Sequence, residues 1–298
     1  MNTKIETVNS AFKGCRKVER KKCPVCGSSD TTKFLNADRY GVEVHYRACQ
    51  DCELVYQSPV PPPDFYEWFY SGFYRGILEE LFQRSFSNEA LIPGQIKYAN
   101  EVAKFLLPEL AALPNKKLKV LDIGGSTGVV AIELNRILSE IGYELDIVVQ
   151  DPSSEELLYA AANGCKTACG LFENLSFDEF GQFDLILLCQ TIDHLYSLET
   201  TFSKISDLMH SGTLFFVDYV DFKFNCNAKG FKESVKIDHI FNFSETNFEI
   251  LLKTNDYRIC DKAISSDYHL RKFLLKKGED KDLKLKFKDK FTSWITSK

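Results

Sequence analysis

The chain has 298 residues, of which 44% are hydrophobic and 27% are charged. These proportions are ordinary for globular proteins and exclude a collagen-like, coiled-coil or largely disordered chain. No apolar run approaches the ~20 residues that a membrane-spanning helix needs, and the polar first ten residues do not resemble a signal peptide. We therefore expect a soluble, cytoplasmic protein with no membrane partner, whose ten cysteines are reduced thiols or metal ligands.

Charge is unevenly distributed along the sequence. Residues 1–22 carry a net charge of +5 and residues 271–298 carry +6, while the whole chain carries −5, which leaves −16 on residues 23–270. A body this acidic is a poor docking surface for nucleic acid, because phosphate contacts supply most of that affinity. We therefore expect a small-molecule partner, with nucleic acid disfavoured.

Residues 1–22 are charged and aperiodic, and we expect them to be a flexible lead-in. Two CxxC pairs follow this segment. Four thiolates from two such knuckles fit tetrahedral Zn²⁺ and leave no open position for catalysis. The sequence therefore predicts a zinc-binding ribbon over residues 23–64. The alternative is a set of free thiols, which would leave this short segment with too little core to fold. The predicted zinc ligands are Cys23, Cys26, Cys49 and Cys52.

An aromatic segment then opens a helical linker over residues 65–115, with helices expected at 77–86 and 96–107. Tyr66, Tyr70 and Tyr74 recur every four residues and so share one helical face. Core packing is the commoner reason for such a stripe, and a role in substrate binding is the alternative.

From residue 118 the pattern alternates between apolar strands and amphipathic helices, which predicts an α/β domain with a parallel sheet covered on both faces. A helix at 245–255 is followed by two strands with a short link between them, which suits an antiparallel hairpin at one edge. Residues 279–298 are a Lys-rich tail, for which a terminal helix and a docked arm are the alternatives. The expected strands are 118–123, 145–149, 165–169, 183–189, 213–217, 257–263 and 268–275, and the other helices are 129–141, 155–162 and 198–209.

The sharpest local motif lies where the first of these strands ends, in Leu-Asp-Ile-Gly-Gly-Ser-Thr-Gly at residues 121–128. Glycines directly after a strand let the backbone approach a ligand, and the following helix N-terminus offers free N–H groups. The spacing is neither the G-x-G-x-x-G of dinucleotide-binding folds nor a phosphate-binding loop with Gly-Lys-Ser/Thr. What remains is D-x-G-x-x-x-G.

This motif resembles the first motif of class I S-adenosylmethionine-dependent methyltransferases, and the resemblance extends over residues 118–277. It implies a Rossmann-like seven-stranded sheet over residues 116–278, preceded by the small zinc ribbon and the helical linker. It also implies S-adenosylmethionine as cofactor. The residues that it assigns to the cofactor are Asp122, Gly124, Gly125, Gly128, Asp151, Phe172, Glu173 and Gln190.

Asp151, at the end of the second strand, can accept hydrogen bonds from both ribose hydroxyls. The alternative for Asp151 is a helix cap ahead of Pro152 and Ser153. In this family the loop containing Phe172 and Glu173 edges the adenine, so Phe172 could stack on the base and Glu173 could face its amino group; an ordinary β-to-α loop is the alternative.

Two histidines are candidates for proton transfer. In methyltransferases that act on small molecules and sugars, the position after strand four often holds an acid-His pair followed by Leu, which Asp193-His194 resembles. Imidazole titrates near neutral pH and could remove a proton from the acceptor; a cap on the next segment is the alternative for His194. His239, before an aromatic residue and the helix cap Ser244, is the second candidate. The sequence at Gln190 lacks the Asn/Asp-Pro-Pro-Tyr/Phe typical of amino-group methylases.

A Cys₄ module followed by Pro-rich and Tyr-rich sequence and this domain resembles the sugar-nucleotide C-methyltransferase group. The sequence therefore predicts methyl transfer to carbon or oxygen of a small polar metabolite or nucleotide-linked sugar. Two alternatives are an RNA methyltransferase that grips its substrate with the zinc ribbon, and a non-catalytic binding module built on the same fold.

Overall fold

The computed structural model describes residues 3–265 and 270–278, so the Lys-rich tail at 279–298 lies outside the described residues. The strands are β1 (Thr31–Ala37), β2 (Glu43–Cys49), β3 (Val55–Gln57), β4 (Lys117–Ile123), β5 (Glu144–Asp151), β6 (Lys166–Cys169), β7 (Phe183–Cys189), β8 (Met209–Val220), β9 (Phe241–Asn242), β10 (Tyr257–Ile264) and β11 (Leu270–Lys277). The helices are α1 (Lys4–Gly14), α2 (Pro63–Gly72), α3 (Tyr74–Phe82), α4 (Asn88–Ala111), α5 (Val129–Ser139), α6 (Ser154–Ala162), α7 (Leu198–Leu208), α8 (Phe222–Lys229), α9 (Phe231–Ser234) and α10 (Glu245–Thr254). Short 3-10 helices cover Phe172–Asn174 and Ile192–His194.

The larger sheet has seven strands in the order β10-β11-β8-β7-β4-β5-β6. β4 pairs in parallel with β5 and β7, and the parallel pairing continues to β6 on one side and to β8 on the other. β11 runs antiparallel to both β8 and β10, so a hairpin closes one edge. The predicted Rossmann-like α/β fold with a seven-stranded sheet is confirmed.

Two apolar clusters cover opposite faces of this sheet. Neighbouring side chains of a strand point to opposite faces, so Val120 and Leu185 lie in one cluster while Leu121 and Ile186 lie in the other. Burial on both faces explains why these strands are nearly continuous hydrophobic runs. The second cluster also contains core residues of the N-terminal sheet, such as Tyr46, so apolar packing joins the two sheets.

A second sheet, with four antiparallel strands in the order β1-β2-β3-β9, contains most of the CxxC segment. Its last strand comes from far along the chain, beyond α9. The backbone just before β9 is held by two buried side chains of the N-terminal segment, Asp38 and Gln57. The N-terminal sheet is therefore completed and anchored by the region that follows β8.

The linker helices differ in extent from those expected. α3 ends at Phe82, where Gln83 adopts a left-handed conformation, and α4 begins at Asn88 and runs through Pro93 and Pro108. Each proline removes one backbone hydrogen bond, but burial of the α4 face that includes Val102 outweighs that loss. Among the described residues, no helix has the length and apolar character needed to cross a membrane.

The flexible lead-in expected over residues 1–22 is instead partly helical. α1 begins with a capping box in which Thr3 and Glu6 bond each other's backbone N–H groups, and it buries Val8 and Phe12. Glu80 of α3 accepts a hydrogen bond from the Lys4 N–H at 2.9 Å. Val8 and Phe12 are one helical turn apart, so this short apolar stripe was present in the sequence although the surrounding charges masked it.

Candidate active site

The loop between β4 and α5 adopts a conformation that requires glycine. Gly124 and Gly128 have φ values of +64° and +71°, a region that L-residues with a side chain rarely occupy. A Cβ at Gly124 would lie 2.4 Å from Thr191 Cγ2, and one at Gly125 would lie 2.6 Å from the Asp122 carboxyl carbon. The loop backbone therefore sits against its neighbours more closely than any side chain allows.

A cavity of about 480 Å³ opens beside this loop, at the carboxyl ends of β4, β5 and β7. This size suits a small ligand or cofactor, and the position is where ligands bind in open α/β sheets. Most of the predicted site residues line the cavity, whereas Gly128 and His239 lie outside its lining. The predicted residues that line it are Asp122, Gly124, Gly125, Asp151, Phe172, Glu173, Gln190 and His194.

Two carboxylates lie beside the glycine loop. Asp151 Oδ2 accepts the Ser126 N–H at 2.9 Å and Oδ1 accepts the Ser153 N–H at 2.8 Å, while Ser153 itself caps α6. Burial raises the pKa of Asp151 to about 6 against the lowering effect of these two amides. Asp122 is fully buried and neither of its oxygens has a hydrogen-bond partner within the described chain, and burial together with Asp151 raises its pKa to about 7.

Residues that the sequence analysis missed also shape this side of the cavity. Gln150 lies 2% exposed; its Oε1 accepts the Gly124 N–H at 3.1 Å and its Nε2 donates to the Gly170 carbonyl at 2.6 Å. Arg75 of α3 pairs with Glu156 of α6 and donates to the Phe86 carbonyl at 2.6 Å. A polar residue at a buried strand position was the available signal for Gln150, whereas nothing local marked Arg75.

The loop after β6 places its two predicted residues differently. Phe172 is buried, its ring centroid lies 5.3 Å from that of Phe177, and it contributes to the cavity wall. Glu173 Oε1 accepts hydrogen bonds from the backbone N–H groups of Tyr196 and Ser197 at 2.7 and 3.1 Å. The Glu173 carboxylate therefore lines the cavity and, through these two hydrogen bonds, holds the backbone just before α7.

The two candidate histidines lie together, with ring centroids 4.5 Å apart. His194 Nδ1 lies 3.0 Å from the Tyr70 hydroxyl, and that hydroxyl donates to the Asp238 carbonyl at 3.3 Å. His239 Nδ1 lies 3.0 Å from Asp193 Oδ2, and Lys236 Nζ lies 2.8 Å from His239 Nε2. Burial is the main cause that lowers the pKa of His194 to about 4 and that of His239 to about 3, so both imidazoles are neutral at pH 7.

Side chains from the N-terminal sheet hold the segment that contains His239. Gln57 Nε2 lies 3.1, 2.8 and 3.1 Å from the carbonyls of Lys236, Ile237 and His239, and Gln57 Oε1 accepts the Tyr66 hydroxyl at 3.2 Å. Asp38 Oδ2 accepts the Ile237 N–H at 2.7 Å. The CxxC segment thus fixes the backbone beside the histidine cluster.

The four cysteines of the CxxC pairs converge. Cys23 Sγ lies 3.4 Å from Cys52 Sγ, Cys26 Sγ lies 3.5 Å from Cys49 Sγ, and all four sulfurs lie within 4.8 Å of one another. Sulfurs bound to one tetrahedral Zn²⁺ at ~2.3 Å would be about 3.8 Å apart. The spacing of the sulfurs therefore fits such an ion.

Comparison with known proteins identifies the family. Residues 95–261 match the profile of a family described as a methyltransferase domain, which is more than half of the chain. The chain belongs to this family. The match confirms the prediction of a class I S-adenosylmethionine-dependent methyltransferase. A search of curated proteins finds no match to the methyltransferase.

Solved structures similar to the methyltransferase share little sequence with it. Magnesium protoporphyrin IX methyltransferase from Synechocystis PCC 6803 with bound SAH is 17% identical, with a TM-score of 0.49 over 71% of this chain and 97% of that one. Mitomycin 7-O-methyltransferase is also 17% identical, with a TM-score of 0.49 over 67% and 57%. The PH0226 protein from Pyrococcus horikoshii OT3 is 18% identical, with a TM-score of 0.46 over 60% and 90%. At these values the likenesses carry no information on the substrate of this chain.

Proposed function

We propose that the protein transfers a methyl group from S-adenosylmethionine to an oxygen or carbon of a small polar metabolite, namely a nucleotide-linked sugar or related glycan precursor. One observation carries the proposal: the glycine loop, Asp151 and His194 line the same cavity. A cofactor-binding loop and a neutral imidazole thus face one cavity. Alignment of the reacting groups and removal of one proton are what this chemistry requires of a protein.

The residues beside the glycine loop fit the cofactor. The Gly124 and Gly125 backbone packs directly against Thr191 and Asp122 and also lines the cavity, so its peptide groups border the space that a ligand would occupy. Each Asp151 oxygen accepts one amide and has a second lone pair, with which it can accept a ribose hydroxyl. Phe172 would flank the adenine, and Gln190 and Glu173 would border the same ligand. When bound, the cofactor supplies a methyl group made electrophilic by its positive sulfur.

His194 is proposed as the base. It lines the cavity, and its hydrogen bonds within the described chain are made at Nδ1, which leaves Nε2 to accept a proton from the acceptor. Tyr70 holds the ring by bonding Nδ1, and this tyrosine belongs to the aromatic stripe noted in the sequence. His239 lies behind His194 and is proposed to act through it, because it is outside the cavity lining.

The resemblance to sugar-nucleotide methyltransferases and the charge distribution support a small acceptor. The net charge of −16 on residues 23–270 opposes docking of a polyanionic nucleic acid. The cavity size is also that of a small-molecule site. We propose Zn²⁺ as a structural ion bound by the four converging cysteines, which leaves it no open position for substrate.

The domain organisation that we propose follows from these assignments. A zinc ribbon spans residues 23–64, a substrate-side helical linker 65–115, and the methyltransferase domain 116–278. The four-stranded sheet, completed by β9, joins the ribbon to the substrate side of the cleft.

Calorimetric titration with S-adenosylhomocysteine (SAH) tests the cofactor assignment. We expect wild-type, zinc-replete protein to bind SAH at micromolar concentration and Asp151→Ala to lose at least about tenfold in affinity, because the ribose contacts disappear. Asp146→Ala is the matched control, since Asp146 lies on the same strand but is exposed and paired with Lys166. No binding by folded wild type would overturn the enzyme proposal and favour a binding module. If SAH binds, nucleotide sugars are the first acceptors to screen.

A further inference from the structure

One lysine of α7 binds the backbone of the loop after β6, which comprises residues 170–175. Lys204 Nζ donates hydrogen bonds to the carbonyls of Phe172, Glu173 and Leu175 at 3.0, 2.9 and 2.6 Å. An ammonium group has three protons to donate, so these three carbonyls use all of them. The Lys204 side chain is half-buried. Three charge-assisted hydrogen bonds from one residue therefore hold a single turn of the loop.

The loop contains one short turn of 3-10 helix, which needs such support. The Asn174 N–H donates to the Leu171 carbonyl at 2.9 Å. The Leu175 N–H donates to the Phe172 carbonyl at 3.4 Å, which is a long hydrogen bond. A turn this short leaves its last carbonyls without helical partners, and a lysine at that end both binds them and complements their partial negative charge. Lys204 supplies this interaction from a different helix.

A second connection runs in the opposite direction, from the loop to α7. Glu173 Oε1, which accepts the N–H groups of Tyr196 and Ser197, also accepts the Thr201 hydroxyl at 3.2 Å. Thr201 is fully buried and lies three residues before Lys204 on α7. The helix thus binds the loop through an ammonium group, while the loop binds the helix and the backbone before it through a carboxylate.

The loop held in this way forms part of the cavity wall. Leu171, Phe172 and Glu173 line the cavity, whereas Lys204 lies outside its lining. Lys204 Nζ lies 5.4 Å from the centroid of the buried Phe172 ring, so it is close to the side chain that faces the cavity as well as to the backbone that carries it. Any effect of Lys204 on a ligand in the cavity must therefore pass through the loop.

We propose that Lys204 is a positioning residue for the adenine end of the cofactor, because its ammonium group fixes the loop backbone that carries Phe172. This inference rests on the proposed function, in which Phe172 flanks the adenine. A cavity wall that is already ordered spares the ligand the free energy of ordering it, and the ligand binds more tightly as a result. The methyl acceptor takes no part in this step, so binding of SAH alone is a sufficient test.

Calorimetric titration of full-length, zinc-replete Lys204→Met protein with SAH tests the proposal. Methionine keeps the apolar stem of the lysine but cannot donate to the three carbonyls. We expect the affinity for SAH to fall at least about tenfold. Without SAH, amide hydrogen exchange in residues 170–175 should become faster, because the turn is no longer held. Lys166→Met is the matched control, with affinity expected within about twofold of wild type, since Lys166 lies on β6 just before the loop but is exposed and pairs with Asp146.

Urea unfolding of each variant shows that the fold is retained. Wild type that binds SAH beside a folded Lys204→Met variant that binds it equally well would overturn the role of Lys204 and leave the proposed function standing. A lower affinity with unchanged exchange in residues 170–175 would also overturn it, because the effect would not pass through the loop. A folded wild type that does not bind SAH would overturn the proposed function, and this inference with it.

Discussion

Replacing Gln57 by methionine should weaken the fold and release the segment that contains His239. Gln57 is fully buried, and its amide bridges three carbonyls of residues 236–239 and the Tyr66 hydroxyl. Methionine has nearly the same length and shape, so the change removes the hydrogen bonds with little change in packing. The hydrogen-bond partners then stay buried with nothing to bond.

The magnitude follows from the number of hydrogen bonds. The amide has two protons to donate and accepts one hydrogen bond, which makes about three hydrogen bonds at roughly 1 kcal/mol each. We therefore expect the free energy of unfolding to fall by about 2–4 kcal/mol. The pKa of His239, which burial and Lys236 hold at about 3, should move upward because the segment is no longer fixed in its buried position.

Urea unfolding followed by tryptophan fluorescence measures the first effect, and nuclear magnetic resonance titration of the histidine rings measures the second. Gln182→Met is the matched control, because the Gln182 amide also bonds carbonyls, those of Asp207 and Met209, but is exposed. We expect the control to change stability by less than about 1 kcal/mol. A Gln57→Met protein with wild-type stability and an unchanged His239 titration would refute the anchoring role.

Three further predictions concern the glycine loop, pH and zinc. Gly124→Ala should lower the free energy of unfolding in urea by about 2 kcal/mol or more, because the alanine would have a left-handed backbone and its Cβ would collide with Thr191. The control is Gly142→Ala, which has φ +85° and open space around it and should show only the smaller backbone effect. Equal losses in the two variants would contradict the collision with Thr191. SAH affinity should fall as the pH is lowered from 7.5 to 5, because Asp151, with a pKa of about 6, gains a proton and loses capacity to accept hydrogen bonds. An SAH affinity that calorimetry finds unchanged over this pH range would argue against the ribose-binding role of Asp151. Cys49→Ser should release zinc and reduce the rate of methyl transfer, while the affinity for SAH stays within about threefold of wild type. The reason is that the ribbon supports the segment that contains His239 rather than the glycine loop. Full methyl-transfer activity in zinc-free protein would contradict this supporting role.

Local sequence was enough to predict the larger sheet and the glycine loop that lines the cavity. The strand and helix alternation encodes a parallel sheet because each strand must be buried on both faces. The Gly124 to Gly128 loop could be read because a left-handed backbone and close approach leave a direct trace in residue type. α1 was missed because the apolar stripe with Val8 and Phe12 is short and lies among charges.

Contacts between distant segments left no such trace. Gln57 lies 180 residues from Ile237, and Arg75 lies 81 residues from Glu156, so no spacing within a helix or strand relates either pair. Lys236 was likewise an unremarkable lysine in the sequence, yet folding partly buries it and brings its Nζ to 2.8 Å from His239 Nε2. Burial and pairing of this kind depend on how elements pack, which local residue patterns do not encode.

The sequence by itself therefore determined the α/β class, the glycine loop and the four thiols that could share a metal ion. Each depends on a short run of residues whose spacing has a direct physical meaning. Only the tertiary structure decided that the rings of His194 and His239 lie 4.5 Å apart, and that Asp193 lies beside His239. Only the tertiary structure, likewise, decided that Asp38 and Gln57 of the N-terminal segment hold the backbone of residues 236–239. The reason is that these groups meet only when the two sheets pack together and bury them in one cluster.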